Sequence, residues 1–342
     1  MTVLVNAYAT VRELPPLDFA HREHSRRDRS DPELATHLHG FVGFILDRGQ
    51  RSMTRTLYHV MRHIQRVQHQ ISLEVEETAF EALADWAGRS NAILFMPDGT
   101  VRDPAGRVLV APENGECEAG AQVPFTPEAI ARKQRTDRTL AEEGFSIAES
   151  LPPLLGASEV SLRAPSDVAR RALGLLVCAL RAESLASGDP LSLSELRARL
   201  PQGYAASTPR ERAFLESDEP EQQGIVNHAW RYEALWVLEW ALGLVNELPT
   251  EKAICDVPRT AGVLLDADRS TLVESATLRP ADEILDALDR CYRLHWAVRE
   301  ARRTEGAPPT ELNPGVLQER HYALNWLVRF ADAPWDDVDT PT

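Results

Sequence analysis

Two histidines late in the chain, His295 and His321, sit where helical spacing asks for an apolar side chain. Over 280–303, steps of three and four put Leu285, Leu288, Tyr292, His295 and Arg299 on one stripe. Over 314–331 the stripe Leu317, His321, Leu324, Val328, Ala331 is flanked by Glu319, Arg320 and Asn325. An earlier stretch, Ile225–Leu248, has the same oddity. There Val226, Trp230, Glu233, Val237, Trp240 and Leu244 form one stripe, and Arg231, Ala234, Leu238, Ala241 and Val245 another, so Arg231 and Glu233 both fall on apolar ground. An unpaired buried ion costs several kcal/mol, so the charges of one helix demand partners on the others. The expected constellation is Arg231, Glu233, His295, Arg299, Glu319, Arg320, His321 and Asn325, set among Trp230, Trp236, Trp240, Trp296 and Trp326.

Such a set can do one of two things. Its members can pair with one another and fix how three helices pack, as buried polar networks do. Alternatively it lines an open pocket, where histidines and carboxylates hold a metal, or arginines grip an anionic ligand while His295 or His321 moves protons. No short motif selects a reaction: H-E-x-x-H, a P-loop, G-x-S-x-G and a dinucleotide-binding glycine fingerprint are all absent. No catalytic residue or cofactor is assigned on this reading. Seven of the ten histidines lie in the first 70 residues, including His37-x-His39 and the pair His59 and His63. The last pair has i,i+4 metal-ligand spacing but no acidic or cysteine companion, so it is a weak candidate. Asp336 and Asp337, after the aromatic anchor Trp335, are a second weak cation candidate or a cap for a helix N-terminus.

The elements that must position these groups divide the chain in two. Residues 1–111 read as a small α+β domain of the α/β-sandwich kind, with two helices on one face of a sheet of about four or five strands. Val3–Thr10, Phe41–Leu46, Val67–Glu76, Asn91–Met96 and Arg107–Ala111 are its expected strands. Ser52–Arg66 and Glu77–Arg89 are its helices, and Pro15–Pro32 is a polar loop. The Gly-, Glu- and Pro-rich stretch 112–127 reads as a linker. Residues 128–342 read as a larger all-α helical bundle, with helices at about 127–143, 166–187, 192–200, 208–216, 224–246, 280–303 and 314–331. Ser192 with Glu195, and Thr208 with Glu211, fit the capping box. No fixed-period repeat is present.

Composition narrows the class. The chain has 342 residues, 43% of them hydrophobic and 26% charged, and a net charge of -15 that opposes a nucleic-acid or anionic-membrane surface as main partner. Its most apolar window, Ala234–Val245, is interrupted by Glu239 and is shorter than the roughly 20 residues a bilayer requires. The N-terminal segment has no basic n-region and reads as a strand. Cys117, Cys178, Cys255 and Cys291 are scattered, without zinc-like spacing, as expected of free thiols in a cytoplasmic protein.

The late motifs carry a resemblance. Trp230-Arg231-Tyr232-Glu233-Ala234-Leu235, Arg293-x-His295-Trp296-Ala297, Glu319-Arg320-His321-x-Ala323-Leu324-Asn325-Trp326 and Trp335-Asp336 resemble the bacterial family catalogued as domain of unknown function 4272. The resemblance covers roughly residues 128–340 and implies a mostly helical cytoplasmic domain, with no activity, substrate or cofactor. The expected role is a non-enzymatic binding or protein-interaction module that engages a protein partner through the N-terminal domain. The alternative is an enzyme, a hydrolase or transferase acting on an anionic small molecule at the His/Glu/Arg cluster. The sequence leaves the oligomeric state open.

Overall fold

The computed structural model of the chain describes residues 1–267, 269–304 and 311–342. It is an α+β protein, with an antiparallel sheet and helices in the N-terminal part followed by a mostly helical region. The chain folds into two compact units, 1–131 with 153–160, and 132–152 with 161–342.

The first unit contains β1 (Thr2–Ala9), β2 (His21–Asp28), α1 (Pro32–Ile45), α2 (Arg55–Arg66), β3 (His69–Glu76), α3 (Phe80–Arg89), β4 (Ala92–Phe95), β5 (Val101–Arg102) and β6 (Val108–Val110). The six strands lie in the order β2-β3-β1-β4-β5-β6. Period-two alternation in β1 sends Val5, Ala7 and Ala9 to one face, against Leu83 and Trp86 of α3. Tyr8 goes to the other face, against Leu38 and Phe41 of α1 and Leu57 and Ile64 of α2.

Both faces are therefore covered, where the sequence led us to expect two helices on one. The expected strand at Phe41–Leu46 is the end of α1. Asp31 caps that helix and Pro32 opens it, and Leu34, Leu38, Phe41 and Ile45 recur at helical spacing along its buried side. The expected polar loop at Pro15–Pro32 contains β2, an edge strand with no fully buried residue. Its charges and the bulge between Glu23 and Ser25 are the usual protection of an exposed edge. The stretch read as a linker is folded onto this unit: Val123 joins the core, the Gln122 N–H bonds the Asp103 carboxylate at 3.1 Å, and Arg51 donates to the Pro112 carbonyl at 2.6 Å.

Segment 153–160 completes the first unit through Glu159, whose carboxylate is almost wholly buried. It accepts from Thr10 Oγ1 at 2.7 Å, Arg66 at 3.0 Å, Asn91 at 3.3 Å and the Gly156 N–H at 2.8 Å.

Helix α4 (Pro127–Glu142) carries the chain onward into the second unit. There follow α5 (Pro165–Ala186), α6 (Leu193–Arg199), α7 (Pro201–Ala205), α8 (Pro209–Glu216), α9 (Gln222–Ala229), α10 (Arg231–Ala241), α11 (Val257–Asp266), α12 (Arg269–Ser275), α13 (Ala281–Arg303) and α14 (Pro314–Leu327). Both expected capping boxes form, at α6 and α8. Helices α7, α11 and α12 lie outside the set expected from the sequence. In this unit α10 packs on α5, α11 and α14, and α14 on α13.

The stretch expected as one helix over 224–246 divides at Trp230 and ends at Ala241. Its stop is a Schellman motif: Gly243 adopts φ +73°, its N–H bonds the Trp240 carbonyl at 2.9 Å, and Leu244 N–H bonds the Glu239 carbonyl at 2.9 Å. Arg279 closes the end by donating to the Trp240, Val245 and Asn246 carbonyls. Likewise α14 stops at Leu327 rather than 331. Arg163 takes the Trp326 and Leu327 carbonyls, and Arg329 and Ala331 turn to positive φ.

Candidate functional site

Helices α10, α13 and α14 bring the expected residues together as three pairs. Glu233 and Arg320, both almost fully buried, form an ion pair with Nε 3.1 Å from Oε2. The other Glu233 oxygen accepts the Cys255 N–H, and Arg320 also donates to the Pro249 carbonyl; Arg320 Nη2 alone has no partner. Arg231 donates to Glu319 at 2.9 Å, with its guanidinium 5.0 Å from the Tyr322 ring centroid and 5.9 Å from that of Trp335. Burial raises the Glu319 carboxyl even with that guanidinium opposite.

His295 and His321 meet through their Nδ1 atoms at 2.9 Å, with rings at 89°. This contact is a hydrogen bond only if one Nδ1 carries a proton and the other is bare, so at least the accepting ring is neutral. Burial, then Arg299 and Arg302, lowers the pKa of His295 to about 4. Burial, then His295 and Arg299, lowers that of His321 to about 3.

Arg299 is exposed and Asn325 buried, and both hold the C-terminal tail. Asn325 donates to the Asp339 carbonyl at 2.8 Å and Arg299 to that of Thr340 at 3.4 Å. Gln318 bonds the Thr340 hydroxyl at 2.9 Å, and Tyr322 donates to the Trp335 carbonyl. Trp335, buried edge-on against Tyr322 and Trp326, anchors this strap. Among the described residues no hydrogen bond joins one pair to another, while Glu233 acts electrostatically on Glu319, so the expected residues stand as three bonded pairs side by side on α14.

The tryptophans are held individually. Trp230 lies so close to Gly315 that a Cβ there would come within 2.5 Å of the indole. Trp236 donates to the Glu247 carbonyl at 3.1 Å, Arg279 covers Trp240, Arg163 covers Trp326, and Trp296 is half-buried.

Of the weak metal candidates, His63, Asp336 and Asp337 bond other groups. His63 is fully buried with Nε2 3.1 Å from the Tyr8 carbonyl oxygen, and burial lowers its pKa to about 3; His59 is half-buried. Asp336 accepts the Arg210 N–H at 3.2 Å, at the N-terminus of α8, and Asp337 pairs with the Arg210 guanidinium at 3.0 Å. Among the described residues no group of three or more His, Cys, Asp and Glu side chains could hold a metal ion. Three of the cysteines are buried, Cys117 is exposed, and all four are free.

Sequence reasoning did not single out several buried charges, Arg293 and Glu239 among them. Arg293, fully buried, pairs with Asp289 at 2.8 Å and Asp137 at 3.3 Å. The i,i+4 spacing of Asp289 and Arg293 was the available signal. Glu239, already visible as an interruption of an apolar window, is completely buried with neither oxygen bonded, and burial pushes its pKa up to about 9. An unfolded glutamate ionises near 4.5 while this one keeps its proton, so stability falls as the pH rises from about 4.5 to 9. Glu239→Gln is expected to lie close to the wild type at pH 5 and to exceed it by about 4 kcal/mol at pH 8. Urea unfolding at the two pH values checks this, and equal differences at both would show that the group does not titrate.

The profile of the family described as Domain of unknown function (DUF4272) matches residues 132–338, which contain all three pairs and the Trp335 anchor. No curated protein and no solved structure matches the chain. The matched region is more than half of the chain, which therefore belongs to the DUF4272 family.

Proposed function

We propose that this protein is a non-enzymatic binding module, in which the helical unit is a rigid body and the N-terminal sheet unit engages the partner. The observation that supports this is the closure of the charged groups: Glu233, Arg320, Arg231, Glu319, His295 and His321 each already bond a group of their own unit. A general base or an anion-binding arginine has to keep a bonding direction for its substrate. Among these groups the buried side-chain atom left without a partner is Arg320 Nη2. No helix among the described residues is long and apolar enough to cross a membrane. Four free cysteines support a reducing, cytoplasmic setting.

The test is a thermal-shift screen of the full chain against divalent metals, nucleotides and phosphorylated metabolites, run on the wild type and on His321→Ala. The substitution is expected to cost about 2–3 kcal/mol, because it opens a cavity and strands His295. No compound in the screen should raise the wild-type melting temperature selectively. A compound that stabilises the wild type and not His321→Ala would establish an open site and end the proposal.

A further inference from the structure

Helix α1 uses one stripe for the core of the first unit. The stripe beside it, Glu33, Thr36, His37, Gly40 and Phe44, faces a groove of about 690 Å³, within the size range of small-molecule sites. Its two ends differ. At one, the cross-strand row Arg27, Gln70, Tyr8 presents a cation: Arg27 donates to Gln70 at 2.9 Å and has only a loose contact, 3.7 Å, with the largely exposed Glu33. At the other, Phe44 and Phe95 stand edge to face at 5.2 Å, and Phe44 is 44% exposed. Between them Tyr8 stacks on Phe41 at 4.3 Å and its hydroxyl bonds His37 Nε2 at 3.0 Å.

Gly40 adds an independent observation. It sits inside α1, where glycine costs about 0.5–1 kcal/mol relative to alanine, and a Cβ there would meet nothing within 4 Å. Nothing in the folded chain requires a glycine at this point. Its bare surface fits an occupant lying against the helix.

We propose that this groove binds a small amphipathic carboxylate, with its anionic head on Arg27, its chain over Gly40 and an aromatic ring against the exposed side of the Phe44 and Phe95 pair. From Glu33 to Phe44 the helix advances roughly 16 Å, room for a ring joined to a carboxylate by several methylenes. The charged, bulged β2 disfavours strand addition at the edge beside the groove. Burial, then Arg27, lowers the pKa of His37 below its usual value, which leaves Arg27 as the cation of this end of the groove.

This inference rests on the sheet unit being the binding part of the protein. The probe is 5-phenylpentanoate, titrated calorimetrically into the full chain, with pentanoate and 5-phenylpentan-1-ol as controls. Saturable binding of the acid, at least tenfold tighter than either control, is expected. Arg27→Leu should weaken the acid at least tenfold and leave the alcohol unchanged. Gly40→Leu should weaken the acid at least tenfold while keeping or raising the melting temperature, so lost binding cannot be lost folding. Absence of saturable binding at millimolar acid, equal affinity for the alcohol, or binding indifferent to Gly40→Leu would each overturn the assignment. These readouts depend on Gly40 and Arg27, whereas the scaffold reading fails only on a ligand that depends on His321, so the two failures are distinguishable.

Discussion

Replacing Arg320 with methionine lowers the stability of the protein by about 3–5 kcal/mol, because it leaves the Glu233 carboxylate buried without its counter-ion. Glu233 then keeps only neutral partners on Cys255, its N–H and its thiol, which cannot offset the desolvation of a full charge. Urea unfolding at pH 7 measures the loss. The double variant Glu233→Met with Arg320→Met recovers most of it, since a buried ion pair replaced by apolar groups of similar size is often neutral or stabilising. If the single variant lost less than about 1 kcal/mol, the carboxylate would be solvated or neutral and the pair would not fix the packing of α10 on α14.

The second large effect is acid lability. Free imidazole takes its proton near pH 6.5, whereas His295 and His321 hold theirs off until about 4 and about 3. Between those values the unfolded chain binds more protons than the folded one. The stabilisation is therefore complete above about pH 6.5 and is lost as the pH falls, by about 3 kcal/mol for His295 alone. Protonating the pair also breaks it, since two imidazoliums have no acceptor to share. Glu239 titrates with the opposite slope in the same range, so the measurement belongs in the Glu239→Gln background. Six of the seven tryptophans lie in the second unit, so their fluorescence reports its unfolding with little contribution from His63 in the first. The midpoint in urea should fall steadily from pH 7 to pH 4.5. Adding His295→Gln and His321→Gln should flatten the fall; an unchanged slope would assign the lability to other groups.

What the sequence made legible was set by nearby residues. The capping boxes at Ser192 and Thr208 and the helix start at Pro127 depend on three or four consecutive positions, and each appears where expected. The demand for partners at Arg231 and Glu233 was also legible, because the desolvation cost of a buried charge does not depend on fold. Which arginine answers Glu233 was not. Arg320 and Arg299 were equally plausible on the stripes, and only the packing of α14 on α10 selects the first. Edge strand β2 was illegible for a related reason: its identity comes from pairing with β3, while its own residues read as a charged loop. In α1 the apolar run Phe41–Leu46 has no local property that separates strand from helix, and the cap at Asp31, well upstream, decides. The groove beside α1 combines α1 side chains with Tyr8, Arg27 and Phe95 from three different strands, so no single window of sequence displays it.

Glu159 sets an order of events during synthesis. The Arg66, Thr10 and Asn91 side chains that it joins are made first, and the carboxylate arrives only when the ribosome has added the stretch from 132 to 159. At about 5–20 residues per second that interval is roughly 1.5–6 s, long compared with the folding of most small domains. Throughout it the nascent sheet has an unfilled polar seat at the end of β1. A nascent chain stalled at residue 131 should accordingly remain protease-sensitive, and one extended far enough past residue 160 for Glu159 to leave the ribosome should not.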